Sequence, residues 1–129
     1  MVGGNGRRRE VIAIVDDEEM VLASLNSYLA LETDYEVVTF TRPGAALEYV
    51  AGHDVDLVIS DYYMPGGGGG KDVLREATGL PQPPKVIMAT GSGNDDLVRD
   101  LLGAGADLCL EKPFGIRDLL AAIETVLAA

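Results

Sequence analysis

The chain has 129 residues, 47% of them hydrophobic, and its 21 acids against 10 bases give a net charge of −11. That size and apolar content suit one domain with a packed core and exclude a disordered chain. Outside Arg7, Arg8 and Arg9 only seven scattered Lys and Arg remain, which argues against a basic nucleic-acid-binding face, and no apolar run approaches the roughly 20 residues of a membrane span. Residues 1–9 read as a disordered arm without the apolar core of a signal peptide, so the expected compartment is the cytoplasm. A single domain is expected over residues 10–129. Residues 11–15, VIAIV, are apolar and rich in β-branched side chains, the pattern of a strand buried on both faces, and they stop at Asp16-Asp17. A helix follows from Glu18 to about Glu32, with Met20, Val21, Leu25, Tyr28 and Leu29 at helical spacing. Residues 35–41 read as a second strand. Pro43 opens a second helix, with Ala46, Leu47 and Val50 inward, that ends near Gly52. Residues 55–60 form a third strand, stopping at Asp61. A short helix spans 71–78, and Pro81-Gln82-Pro83-Pro84 is a stiff connector. Residues 86–89 give a fourth strand ending at Thr90. Asn94 caps a helix that reaches Leu102, with Asp95 and Asp96 in its first turn. Residues 108–110 are a fifth strand ending at Lys112-Pro113. A last helix runs over 116–127, with Leu119, Leu120, Ile123 and Leu127 on one face.

Five βα units with apolar strands predict a parallel sheet covered on both faces, and right-handed crossovers make it doubly wound. In such sheets ligands bind beyond the carboxyl ends of the strands. Strand one ends in Asp16 and Asp17, strand three in Asp61, strand four in Thr90 and strand five in Lys112. Any one of these polar residues reads as a cap or a solvated loop. Together they put three carboxylates, a hydroxyl and an ammonium on one rim. Converging carboxylates repel unless a cation compensates them, and hard oxygen donors favour Mg²⁺, Mn²⁺ or Ca²⁺.

With these motifs in order, the chain resembles the receiver domain of two-component response regulators. The matching pieces are Asp16-Asp17 after an apolar strand, Asp61 in SDYYMPG, Thr90 in MATG, and Lys112-Pro113-Phe114. The resemblance spans about residues 10–127. It implies an α/β flavodoxin-like (βα)5 sandwich with strand order 2-1-3-4-5. It implies Asp61 as phosphoacceptor and Thr90 and Lys112 as ligands of the phosphoryl oxygens. It implies a Mg²⁺ held by Asp16, Asp17, Asp61 and the main-chain carbonyl of Tyr63, with Mn²⁺ or Ca²⁺ as substitutes. It also implies a cis Lys112–Pro113 bond. The partners implied are a sensor histidine kinase or histidine phosphotransfer protein, and an output domain or downstream protein. A second copy of the chain is a further candidate. No other cofactor, direct nucleic-acid contact or membrane contact is implied. The domain would be no enzyme beyond catalysing its own phosphorylation and dephosphorylation.

Three positions depart from the family pattern. Cys109 stands where receivers carry Tyr or Phe, the ring that swings inward when the threonine moves. A lone Cys in a strand reads as a small inert hydrophobe. Residues 66–70 are five glycines in place of an apolar residue and an Asp-Gly pair, so this loop is expected to be mobile. Tyr63, with Ser92, occupies a position that influences hydrolysis of the phosphoryl group, and its bulk is expected to shield the site in part. His53, at the end of the second helix, reads as a surface or capping residue.

Other functions fit less well. A haloacid-dehalogenase-type phosphatase needs an Asp two residues after its nucleophile, where this chain has Tyr63. A flavodoxin-like electron carrier needs a phosphate-binding loop after strand one, where Asp16 and Asp17 stand. Lys71 completes no P-loop, because Pro65 and Asp72 occupy two of the motif's positions. A degenerate receiver acting only as a protein-binding scaffold is the remaining alternative, kept by Cys109. The chain's end just after the fifth helix suits both a stand-alone regulator and an excised receiver.

Overall fold

The computed structural model describes residues 9–64, 69–91 and 94–129. Strands and helices alternate as β1 (Val11–Val15), α1 (Glu19–Glu32), β2 (Glu36–Phe40), α2 (Pro43–Gly52), β3 (Leu57–Asp61), α3 (Gly70–Thr78), β4 (Lys85–Thr90), α4 (Asp95–Gly103), β5 (Leu108–Glu111) and α5 (Ile116–Ala128). The strands form one sheet in the order β2-β1-β3-β4-β5, and every pairing is parallel. This is the flavodoxin-like doubly wound architecture expected from the sequence.

The two faces follow from the strand period of two. Ile12, Ile14, Leu57, Ile59 and Ile87 point to one side, where they meet Leu22, Leu25 and Leu29 of α1 and Leu119, Ala122, Ile123 and Val126 of α5. Val11, Ala13, Val15, Val58, Val86 and Met88 point to the other, against residues of α2, α3 and α4 that include Ala46, Val73 and Leu101. The three central strands are apolar on both faces because both are covered. Edge strand β2 is only partly buried and is shorter than the sequence implied.

The inward face of α1 differs from the expected one. Leu22, Leu25 and Leu29 are buried, Val21 and Tyr28 pack at the margin, and Met20 is 85% exposed. Met20 lies two residues before Leu22, about 200° around the helix, and so faces away from the sheet. In α5, Leu119 and Ile123 are fully buried as expected, whereas Leu120 and Leu127 are marginal.

Local polar groups fix the helix starts. The Asn94 side chain accepts from the N–H groups of Asp96 and Leu97 at 2.8 and 3.2 Å. Pro43 occupies the first turn of α2, where its missing N–H costs nothing. Asp118 accepts from the Gly115 N–H at 3.3 Å. His53 ends α2, its Nδ1 2.9 Å from the Tyr49 carbonyl oxygen and its ring stacked on Tyr49, so it caps as expected.

Arg9, the last residue of the expected arm, is fixed to the body. Its guanidinium donates to the carbonyls of Asp34 and Tyr35 at 2.7 and 2.8 Å. Arg7, Arg8 and the rest of 1–8 lie outside the described residues, as do Gly66, Gly67, Gly68 and Ser92. No helix among the described residues is long and apolar enough to cross a membrane.

Candidate functional site

The strand register brings the polar residues at the strand ends together. Val15 pairs with Ser60, Asp61 with Ala89, and Thr90 with Glu111. Asp16, Asp61, Thr90 and Lys112 therefore stand side by side along the carboxyl rim. Backbone hydrogen bonds hold this alignment one step past the strands. The Asp16 N–H donates to the Phe40 carbonyl at 3.1 Å, the Tyr62 N–H to Ala89 at 2.7 Å, and the Lys112 N–H to Thr90 at 2.8 Å. The Lys112–Pro113 peptide is cis.

Lys112 sits between two carboxylates. Its Nζ lies 3.5 Å from Asp16 Oδ2 and 3.5 Å from Asp61 Oδ2. Asp16 is 6% exposed, Asp61 9% and Thr90 4%, so these groups are buried polar side chains in a core that is otherwise nearly all apolar. Burial pushes the Asp61 carboxyl above its ordinary value. Lys112 pulls it back without cancelling the shift, and the charges of Asp16 and Asp17 add to it. For Lys112, burial lowers the ammonium's pKa, but Asp16 and Asp61 outweigh it, so the group is held above the ordinary lysine value.

Asp16, Asp17 and Glu18 form an acidic cluster, each offering a carboxylate oxygen within 4.8 Å of the others. Asp16 Oδ1 also accepts the Glu18 N–H at 2.9 Å, which turns the chain tightly there. Asp17 and Glu18 are exposed. This donor set, hard oxygens only and richer in charge than the one lysine beside it, is consistent with a divalent metal site. Glu18 was not singled out from the sequence, because an acid at a helix start reads as a complement to the helix dipole. Asp61 reaches this group through Lys112 and is not itself a member of the cluster.

Tyr63 lies two residues beyond Asp61, and its side chain is 73% exposed. It stands largely in solvent at the rim instead of folding over the site. Cys109 is half-buried, packed with the α2–α4 side of the core, and burial pushes its thiol pKa up. That keeps the thiol protonated and unreactive. A separate cavity of about 530 Å³ lies at the opposite end of the sheet, beside His53, Asp56 and Pro83, and contains none of the rim residues.

The response regulator receiver domain family matches the chain over residues 12–124. The chain belongs to this family. Among curated relatives, the receiver is 37% identical over 114 residues to the transcriptional regulatory protein PdtaR of Mycobacterium tuberculosis, covering 88% of this chain and 54% of that one. It is 33% identical over 111 residues to the transcriptional regulatory protein KdpE of the same species, covering 86% of this chain and 48% of the relative. The receiver thus spans about half the length of these proteins. Among solved structures, a CheY-like receiver domain protein from Methanospirillum hungatei superposes with a TM-score of 0.86 at 32% identity, covering 94% of this chain and 95% of that one. The receiver domain of a LuxO repressor protein from Vibrio parahaemolyticus also gives 0.86, at 26% identity and with 94% and 92% covered. The domain is thus a receiver of the two-component type, built for phosphoacceptor signalling.

Proposed function

We propose that Asp61 is the phosphoacceptor, and that it takes its phosphoryl group from a histidine kinase or a histidine phosphotransfer protein in a Mg²⁺-dependent step. The observation that carries this reading is the placement of Lys112 Nζ 3.5 Å from oxygens of both Asp61 and Asp16, beside the acidic cluster. Attack by an Asp61 oxygen on phosphorus forms an acyl phosphate and breaks the P–N bond of the donor. The electron pair of that bond leaves on the histidine nitrogen. Lys112 stands beside the attacking oxygen, so its ammonium offsets charge on the equatorial phosphoryl oxygens. Thr90, buried at the end of β4, supplies a hydroxyl to the same oxygens. Asp16, Asp17, Asp61 and the Tyr63 carbonyl would hold the cation, and Glu18 adds its charge next to them. The bound cation would neutralise the carboxylates and screen the incoming phosphate.

The domain acts on no second substrate and catalyses only its own phosphorylation and dephosphorylation. Its product is an altered surface, read by an output domain or a downstream protein in the cytoplasm. The complete rim, with Asp16, Asp61, Thr90 and Lys112 all in place, favours this reading over a scaffold without phosphoryl chemistry.

Acetyl phosphate with and without Mg²⁺, followed by intact mass, tests the proposal. The expected result is a Mg²⁺-dependent gain of one phosphoryl group that Asp61→Asn abolishes, since an amide is a far weaker nucleophile. Labelling of the Asn variant at the wild-type rate would move the acceptor to another residue.

A further inference from the structure

Gly70 opens α3, is buried, and lies directly against the peptide that follows Asp61. A Cβ built on it would fall well inside van der Waals contact of the Asp61 carbonyl oxygen. It would also lie 2.6 Å from Tyr62 Cα and 2.7 Å from Met88 Cε. The methionine end can swing aside, whereas the backbone atoms cannot. Neighbouring Gly69 is different, because a Cβ there would meet only the Tyr62 carbonyl oxygen, at an ordinary 3.5 Å.

This peptide and the one after it, Tyr62–Tyr63, are held by three hydrogen bonds. Ser60 Oγ donates to the Asp61 carbonyl at 3.0 Å. The Tyr62 N–H donates to Ala89 at 2.7 Å, and the Tyr62 carbonyl accepts the Gly70 N–H at 3.0 Å. We infer that Gly70 is a positioning residue: its bare Cα lets α3 clamp the Asp61–Tyr62 peptide, and the clamp sets where the Asp61 carboxylate and the Tyr63 carbonyl stand. Both groups lie within one residue of the clamped peptide. Two of the five consecutive glycines therefore have defined places, and Gly70 is required for the space that it leaves free.

This inference rests on the proposed role of Asp61, and the experiment separates the two. Wild type, Gly70→Ala, Gly69→Ala and the double variant Gly70→Ala/Met88→Ala are compared for Mg²⁺ affinity by calorimetry and for maximal labelling rate by acetyl phosphate at saturating Mg²⁺. Each is measured well below its own melting temperature. Gly70→Ala should bind Mg²⁺ several-fold more weakly and label about tenfold or more slowly, since misplacement by about 1 Å can cost on the order of 10²-fold. Gly69→Ala should match wild type. The double variant should stay impaired, because removing the Met88 side chain leaves the backbone clash in place. A Gly70→Ala protein that is less stable but has wild-type affinity and rate would reduce Gly70 to a packing role. Full recovery in the double variant would likewise overturn the inference. If Gly70→Ala does not fold, Ser60→Ala loosens the clamp without adding bulk. It should slow labelling several-fold with the fold intact, and an unchanged rate would refute the clamp. Failure of wild type to label would instead refute the proposed function.

Discussion

Asp16 and Asp61 are both buried with one ammonium between them, so the metal-free rim holds more negative charge than it compensates. Burial raises the Asp61 pKa, which means the folded protein holds that proton more tightly than the unfolded chain does. Stability of the metal-free protein should therefore fall as pH rises from the ordinary Asp value of about 3.9 up through the raised one. Asp61→Asn should remove that part of the slope and raise Tm at neutral pH by a few degrees, where about 1 kcal/mol corresponds to roughly 4 °C. Thermal melts between pH 4 and 8 without divalent ions check this. A variant no more stable than wild type, with the slope unchanged, would show that Asp61 is not the strained group. Lys112 gives a slope of the same sign in a higher pH window. Its raised pKa means that its contribution is complete below the ordinary lysine value and is lost as pH climbs through the raised one. At this scale the rim was legible in the sequence, because each of its residues is a polar break at the end of an apolar strand. Gly70 was not, because its importance is an empty space that depends on Asp61, Tyr62 and Met88 arriving there from other elements.

The helices were legible in extent and less so in orientation. α1 carries Met20, Val21, Leu22, Leu25, Tyr28, Leu29 and Leu31, apolar residues on several sides, so spacing alone offered more than one inward stripe. The sheet decides between them, since Ile12, Ile14, Leu57 and Ile59 meet Leu22, Leu25 and Leu29. Leu22→Ala should accordingly cost about 2–5 kcal/mol in urea unfolding. Met20→Ala should stay within about 0.5 kcal/mol, as expected of an exposed site. Equal losses for the two would show that α1 is rotated from the orientation described. The turn between α4 and β5 makes a second demand that spacing could not show. Gly105 has φ +116°, and a Cβ there would lie 2.9 Å from Thr78 Cγ2. Gly105→Ala should cost about 1–3 kcal/mol from backbone strain.

For the whole molecule, alternating apolar runs and helical segments were enough to give a parallel, doubly wound sheet, because parallel strands need crossovers and crossovers have one hand, whereas the strand order 2-1-3-4-5 was legible only through the resemblance to receivers. The convergence of the rim then follows from topology, since β1, β3, β4 and β5 all deliver their carboxyl ends to one edge. A divalent ion bound there stabilises the native state preferentially, by about 2.7 kcal/mol at 100 times its dissociation constant. Millimolar Mg²⁺ should therefore raise Tm in wild type and raise it much less in Asp17→Asn. Under the proposed function, the surface change that follows phosphorylation is set at this scale too. Cys109 pairs with Met88 in the β4–β5 register, two residues before Thr90 pairs with Glu111. Its small side chain cannot sweep through the volume that a ring would. Displacement of Thr90 toward a phosphoryl group should therefore be felt in the segments that continue from the rim, and not along β5. Beryllofluoride with Mg²⁺, a stable mimic of the phosphoryl group, followed by amide hydrogen exchange, reads this out. Protection should change in residues 62–64, 69–72 and 94–98 and stay nearly constant in 107–111. A large change centred on Cys109 would mean that β5 switches without an aromatic lever, and the partner would then read the strand and not the loops.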